Sequence, residues 1–142
     1  MSVKIQVSAI IDRPVADVFH FYAHELVRNH PRWDPDMQLE QVSDGPIGVG
    51  TIMRRRNTHS GTPVEGTMEV VEFEPNQAFG VVIHDGPNET RGRVTFNPES
   101  QEQTTLTIHA KFTDMDESLK SWITGLVERS AQNIKHLIES EI

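Results

Sequence analysis

The sequence predicts an α+β fold: a curved, seven-stranded antiparallel sheet wrapped around a long C-terminal helix, with two short helices after strand 1. Three patterns in the 142 residues predict this fold. The first residues alternate between polar and apolar, residues 37–113 form short β-branched runs between turn signals, and the last segment has a helical period. Helical segments lie towards the chain ends with most strands between them, which favours α+β. We expect one domain over residues 1–142.

The N-terminal strand and the two short helices follow from local patterns. Apolar residues occupy every second position from residue 3 to residue 11, which is typical of a half-buried strand. Pro14 suits a first helical turn, and apolar residues then recur at helical spacing over residues 15–22. A second helical turn is expected over residues 25–29. Pro31 should end it, because the residue before a proline avoids the α region.

Six further strands are expected in the middle of the chain. Turn signals such as Asp44-Gly45-Pro46 separate them, and the connections are too short for helices that cross between parallel strands. The sequence therefore predicts antiparallel hairpins. The strands are expected at about 37–43, 50–59, 63–74, 78–84, 89–97 and 103–112.

The C-terminal segment predicts one amphipathic helix of roughly 25 residues. Its apolar residues fall mostly three and four apart from Met115 to Ile142, with the small Ala131 inside the longest gap. Thr113 or Asp114 is expected to cap its start. Only this helix is large enough to cover the dry face of such a sheet.

Composition excludes several classes of protein. The formal charge of −8 argues against binding to nucleic acid, which needs a positive field. No apolar stretch approaches the roughly 20 residues of a membrane span, so we expect no membrane insertion. The absence of cysteine removes thiolate metal sites and cysteine nucleophiles. The N-terminus lacks the apolar centre of a signal peptide, and we expect a cytoplasmic protein.

Three strands supply a largely apolar inner face opposite the helix. Their alternation predicts that the apolar members face the helix and the polar members face water. Gly92, Ala110 and Gly125 are small, which favours a cavity between sheet and helix, although a fully packed core has the same alternation. The inward wall residues are Phe79, Val81, Ile83, Gly92, Val94, Phe96, Leu106, Ile108, Ala110 and Phe112, met from the helix by Trp122 and Leu126.

Four short stretches resemble a known superfamily. They are residues 7–19 (VSAIIDRPVADVF), 31–35 (PRWDP), 48–51 (GVGT) and a glutamate-rich strand that ends at Glu74-Pro75. Together with the order of elements, they are similar to the SRPBCC or START-like (helix-grip) superfamily, and within it to the polyketide cyclase/dehydratase-like family. Members bind lipids, sterols, polyketides or plant hormones, and some cyclise or dehydrate a polyketide.

The resemblance implies a pocket between the sheet and the C-terminal helix, entered near the short helices and loops. In relatives the turn that contains Trp33 packs over the mouth, so Trp33 is expected as a lid, as an anchor for the second short helix, or as both. The expected lining is Phe19, Tyr22, Trp33, Phe79, Val81, Ile83, Val94, Phe96, Leu106, Ile108, Trp122 and Leu126.

The only basic run supplies a polar anchor for a ligand. Arg54, Arg55 and Arg56 alternate faces on one strand, so at least one must lie inside the sheet or at its rim. A buried arginine needs a partner, and Glu69 is the chosen candidate, with Glu65 and Glu72 on the same strand. The arginine could bind a carboxylate or keto oxygen of a ligand. It could also form an ion pair at the rim with little energetic weight.

Three functions remain open at this stage. The first is the binding of a small hydrophobic molecule such as a lipid or polyketide, with or without its transport. The second is a cyclase/dehydratase-type enzyme whose acid–base residues share the cavity; no nucleophile motif or cofactor fingerprint is present, so we expect no cofactor. The third is a protein-interaction module of the heat-shock protein 90 activator type. His20 and His24 lie four apart, but a solvated helix face is expected there and no metal site. The protein is expected to be a monomer or a homodimer.

Overall fold

The computed structural model describes residues 2–142 and confirms the predicted α+β architecture. One sheet contains all seven strands in the order β1-β7-β6-β5-β4-β3-β2, and every neighbouring pair is antiparallel. The strands are β1 (Val3–Ile11), β2 (Met37–Gln41), β3 (Ile52–Asn57), β4 (Val64–Glu74), β5 (Ala78–Asp85), β6 (Asn88–Ser100) and β7 (Gln103–Phe112).

Register irregularities lie in the long strands. The β4–β5 register shifts between Val70 and Glu72, which leaves Val71 exposed at the surface. A second shift separates Pro98 from Ser100 in β6. Bulges of this kind increase the local twist of a strand, and they help a long sheet to curve.

The two short helices form one nearly continuous segment after β1. Helix α1 (Val15–Phe19) runs into a single π-helical turn (His20–His24), and α2 (Leu26–Trp33) follows. The prediction that Pro31 ends the second helix is wrong, since the helix includes it. A proline removes only its own backbone donor, and the amide of Asp34 still bonds to the carbonyl of His30 at 3.0 Å. Packing of Trp33, which is 3% exposed, stabilises this last turn.

The long helix begins later than expected. Helix α3 (Lys120–Glu141) has 22 residues and is preceded by a 3-10 turn (Glu117–Leu119). The predicted caps Thr113 and Asp114 are wrong, because Asp116 accepts from the Ser118 amide at 2.9 Å and begins the 3-10 turn instead. Thr113 belongs to the sheet end, where its hydroxyl donates to the carbonyl of Glu89.

The two halves of α3 have different surroundings. Its C-terminal half buries Ala131, Ile134 and Ile138 completely and contacts β1. Its N-terminal half is more exposed, and Trp122 is 44% exposed. The core therefore lies under the C-terminal half of α3, and the N-terminal half lies over open space. Among residues 2–142, no helix is long and apolar enough to cross a membrane.

Candidate functional site: a cavity with one polar end

A cavity of about 480 Å³ lies between the concave sheet face, α2 and the N-terminal half of α3. This volume is within the range of roughly 300–1,000 Å³ that is typical of sites for small molecules. Exposed side chains from the connections and from the start of β6 line one side of it, including Ser60, Asn88, Asp114 and Asp116, so the cavity opens to solvent there.

The sheet register arranges the cavity wall in rows. Phe79, Val94 and Ile108 lie side by side across β5, β6 and β7. The next row is Val81, Gly92 and Ala110, followed by Ile83, Thr90 and Phe112. The middle row contains the two smallest residues of the wall, Gly92 and Ala110. Their side chains leave the space between the sheet and the helix unfilled at this place. This small-residue row explains why the sheet and helix do not pack closely here.

Nine of the twelve lining residues predicted from sequence line the cavity. They are Tyr22, Trp33, Phe79, Val81, Ile83, Val94, Ile108, Trp122 and Leu126. Phe19, Phe96 and Leu106 do not, because they lie in the packed core beyond the closed end of the wall. Alternation along a strand tells which face a side chain takes, but it does not tell how far along the face the cavity extends.

Aromatic rings from the short helices form one wall. Trp33 is stacked between Tyr22 at 4.8 Å and His30 at 5.0 Å between ring centroids. Asn133 of α3 donates to the backbone carbonyl of Trp33 at 3.0 Å. Trp33 is thus an anchor of α2 and also part of the cavity lining. Burial raises the pKa of Tyr22, so its phenol stays protonated.

Of the arginine run, only Arg55 faces inward. Arg55 is 8% exposed, whereas Arg54 and Arg56 are exposed on the outer face, and Arg54 pairs there with Glu40. The expected partner Glu69 is also on the outer face, so it is not an anchor for Arg55. The residue of β4 opposite Arg55 is Gly66, which has no side chain.

The partner of Arg55 comes from one strand further away. Arg55 donates through Nε and Nη2 to the two carboxylate oxygens of Asp85 at 2.9 and 3.1 Å, and Asn57 donates to the same carboxylate at 3.3 Å. The bridge spans from β3 to β5 across Gly66. A Cβ placed on Gly66 would lie 2.4 Å from Asp85 Oδ1 and 2.1 Å from the carbonyl of His84, so only glycine leaves room for this contact.

A histidine–carboxylate pair lies at the same end of the cavity. His59, in the β3–β4 connection, donates from Nε2 to both oxygens of Asp34 at 2.9 and 2.8 Å. A carboxylate can only accept, which leaves Nδ1 of a neutral His59 as the basic nitrogen. Burial opposes ionisation of Asp34, but its hydrogen bonds with the His59 ring and with the backbone of Asp36 favour the carboxylate, and the pKa of Asp34 is lowered.

This pair is also where a metal ion could bind. Asp34, Asp36 and His59 bring one ligand atom each to within 4.8 Å of one another. Carboxylate oxygen and imidazole nitrogen are ligands that several divalent metals accept. Both oxygens of Asp34 are engaged by His59, so a metal would have to displace that hydrogen bond.

His30 completes the polar end and is uncharged. Its Nδ1 is buried and has no hydrogen-bond partner within residues 2–142. Burial, and after it the positive charge of Arg55, lower the pKa of His30 from 6.5 to about 3, against the opposing effect of Asp34. The polar end therefore combines a neutral imidazole, the Arg55–Asp85 ion pair and the hydrogen-bonded His59–Asp34 pair.

Sequence reasoning missed Asp85, Asn57 and His59 as site residues. The signal for Asp85 was present, because the inward positions 79, 81 and 83 continue to residue 85 at the same period. Asn57 likewise lies two residues beyond Arg55. His59 lies outside any strand, and no periodic pattern predicts where a loop side chain points.

A long helix gripped by a curved antiparallel sheet, with a cavity between them, defines the helix-grip class of proteins. The family model described as "Polyketide cyclase / dehydrase and lipid transport" matches residues 2–139. The chain belongs to this family, which confirms the resemblance seen in its motifs. A comparison with curated protein sequences found no match.

Solved structures share the fold at low sequence identity. A START superfamily protein from Mycobacterium smegmatis has a TM-score of 0.81 and 11% identity, with 98% of this chain and 99% of that chain covered. Norcoclaurine synthase from Thalictrum flavum, in complex with dopamine and hydroxybenzaldehyde, has a TM-score of 0.76 and 17% identity, with 100% and 89% covered. Ara h 8.0201 has a TM-score of 0.78 and 10% identity, with 99% and 100% covered.

Proposed function

We propose that this protein binds a small, largely apolar molecule in the cavity, with the polar group of the molecule at the end formed by His30, Arg55 and Asp85. One observation carries the proposal: a cavity of about 480 Å³ with apolar rows along its wall and polar side chains gathered at one end. Burial of apolar surface supplies the affinity of such sites, and a few polar groups fix the orientation. The family description, which includes lipid transport, supports the same proposal.

The neutral fluorescent probe N-phenyl-1-naphthylamine tests the proposal directly. We expect its emission to rise on binding to the wild-type protein, and native mass spectrometry of the purified protein to identify any co-purified ligand. Ala110→Phe would fill the middle row of the wall, so it should weaken probe binding by at least about tenfold while the protein stays folded.

Lys111→Phe is the matched control, because residue 111 is adjacent on the same strand but exposed on the outer face. Probe binding should be unchanged in this variant. Equal loss in both variants, or no binding of the probe to the wild type, would count against a ligand cavity at this place.

A second candidate function is acid–base catalysis on a carbonyl compound, as in a cyclase/dehydratase-type enzyme. The observation that favours it is the His59–Asp34 pair at the cavity end, with contacts of 2.8 and 2.9 Å. A histidine oriented by a carboxylate is a common general base. In this role Nδ1 of His59 would remove a proton from the carbon next to the carbonyl, and Asp34 would stabilise the imidazolium that forms.

The ketone 2-tetralone in deuterated water tests this second function. A general base exchanges its protons next to the carbonyl for deuterium, which proton NMR follows. We expect the wild type to accelerate exchange over buffer and His59→Gln to lose about 100-fold of that acceleration. His84→Gln is the control, since His84 forms a similar pair with Glu89 (3.2 Å) on the outer face. Exchange at the buffer rate with the wild type would exclude enolisation of this ketone.

A further inference from the structure

The polar end of the cavity has little positive charge that is not already paired with a carboxylate of the protein. Within residues 2–142, Arg55 is the only lining arginine whose guanidinium lies there, because the other, Arg93, is on the outer face with its guanidinium held by Glu72. The side edge of the Arg55 guanidinium, formed by Nε and Nη2, is already bound to Asp85, whose negative charge balances that of the arginine. A ligand carboxylate would therefore have to displace Asp85 or bind at Nη1 beside a second carboxylate.

Negative charge is abundant at the same end. The acidic lining residues there are Asp34, Asp85, Asp114 and Asp116. Asp34 is held by His59, and His30 stays neutral because of its burial and the nearby Arg55. Asp114 and Asp116 are exposed at the opening and form no ion pair within residues 2–142. An anionic ligand would therefore pass two unpaired carboxylates at the opening before it reached the paired carboxylates of Asp34 and Asp85, and like charges repel each other.

We infer that the cavity accepts molecules whose polar group is a hydroxyl or an amine and rejects carboxylates of the same skeleton. A hydroxyl can donate to the carboxylate of Asp85 or Asp34 and accept from the third nitrogen of Arg55. An ammonium group can donate to the same carboxylates. The inference rests on the proposed function, because it requires a ligand in this cavity, and it specifies the chemical class of that ligand.

Three naphthalene compounds that differ only in their polar group test the inference. They are 2-naphthalenemethanol, 2-naphthylmethylamine and 2-naphthoic acid, measured at neutral pH by displacement of N-phenyl-1-naphthylamine and by calorimetry. The alcohol and the amine should each bind at least about tenfold more tightly than the acid. Naphthoate binding as tightly as the alcohol to the wild type would overturn the inference without any variant.

Asp85→Asn tests the cause. This change keeps the size of the side chain, removes its charge and leaves Arg55 available to a ligand, so naphthoate affinity should rise about tenfold. Glu72→Gln is the matched control, because it frees Arg93 from an equally bidentate bridge (2.8 and 3.1 Å) on the outer face, away from the cavity. Naphthoate affinity should not change in this control. No gain in folded Asp85→Asn would show that the Arg55–Asp85 bridge does not set the selectivity.

The outcomes separate this inference from the proposed function. If none of the three compounds and no probe binds, the cavity is not a ligand site, and both proposals fail. If the probe binds and the acid competes as well as the alcohol, binding stands and the selectivity is wrong. Circular dichroism of each variant checks that a loss of binding is not a loss of fold.

Discussion

Acidification from neutral pH to about 4.5 is expected to lower the free energy of unfolding, and His30 should account for a distinct part of the loss. The pKa of His30 is lowered from 6.5 to about 3 in the folded state. As the pH falls below 6.5, the unfolded chain therefore binds a proton that the folded protein does not. Stability is lost by roughly 1.4 kcal/mol for each pH unit across the window from about 6.5 to 3.

The physical reason is the environment of the ring. Nδ1 of His30 has no partner within the described residues, and the ring lies against Trp33 near the guanidinium of Arg55. A proton on this ring would place a second positive charge in a poorly hydrated site. Above pH 6.5 both states are neutral, so the effect is absent there.

His30→Phe isolates this contribution because phenylalanine keeps the stack on Trp33 and cannot titrate. Urea unfolding of wild type and variant between pH 7.5 and 4.5 should show that the wild type loses stability more steeply below pH 6.5. Other groups contribute at lower pH, since the pKa values of Asp34 and Glu72 are also lowered. The difference between the two proteins cancels the contribution of Glu72, while Asp34 interacts with His30 and its change is counted with that of His30. Parallel curves for the two proteins would mean that His30 titrates normally.

His136→Phe controls for the loss of any histidine. His136 is exposed on α3, in the packed C-terminal half of the helix but facing solvent. Its replacement should leave the pH dependence of unfolding unchanged over the same range. A slope that changes equally in both variants would point to a general effect of charge.

The fold could be predicted from sequence because it depends on repeating patterns. Period-two alternation with short connections leaves only an antiparallel sheet, and one long amphipathic segment can cover it. The same alternation requires one arginine of the run to face inward. The structure identifies it as Arg55, flanked by outward Arg54 and Arg56.

The polar site could be predicted only in part, because its contacts cross between strands that sequence does not place side by side. Three glutamates on β4 were the expected partners of Arg55, and all three belong to the outer face or its rim. The true partner is Asp85, reached over a glycine from β5. A search for acids in the adjacent strand could not find a residue two strands away. Knowledge of the strand order was needed first.

Gly66→Ala is expected to destabilise the protein by about 3 kcal/mol, which is large for the addition of one methyl group. The new Cβ would lie 2.1 Å from the backbone carbonyl of His84 and 2.4 Å from Asp85 Oδ1. A carbonyl in the β4–β5 ladder cannot rotate away without breaking sheet hydrogen bonds. The side chain of Asp85 would also leave Arg55, and a buried arginine without its partner is costly.

Gly92→Ala is the matched control for the destabilisation expected of Gly66→Ala. Gly92 is also a sheet glycine on the cavity wall, but a Cβ there would lie 3.3 Å from one methyl of Val81, a side chain that can adjust. Urea unfolding should show a change of less than about 1 kcal/mol for this variant. Equal stability of the two alanine variants would mean that Asp85 does not need the space above Gly66, and the bridge across β4 would lose its structural basis. If Gly66→Ala still binds the probe but discriminates less against naphthoate, the Arg55–Asp85 bridge contributes to the ligand selectivity of the cavity.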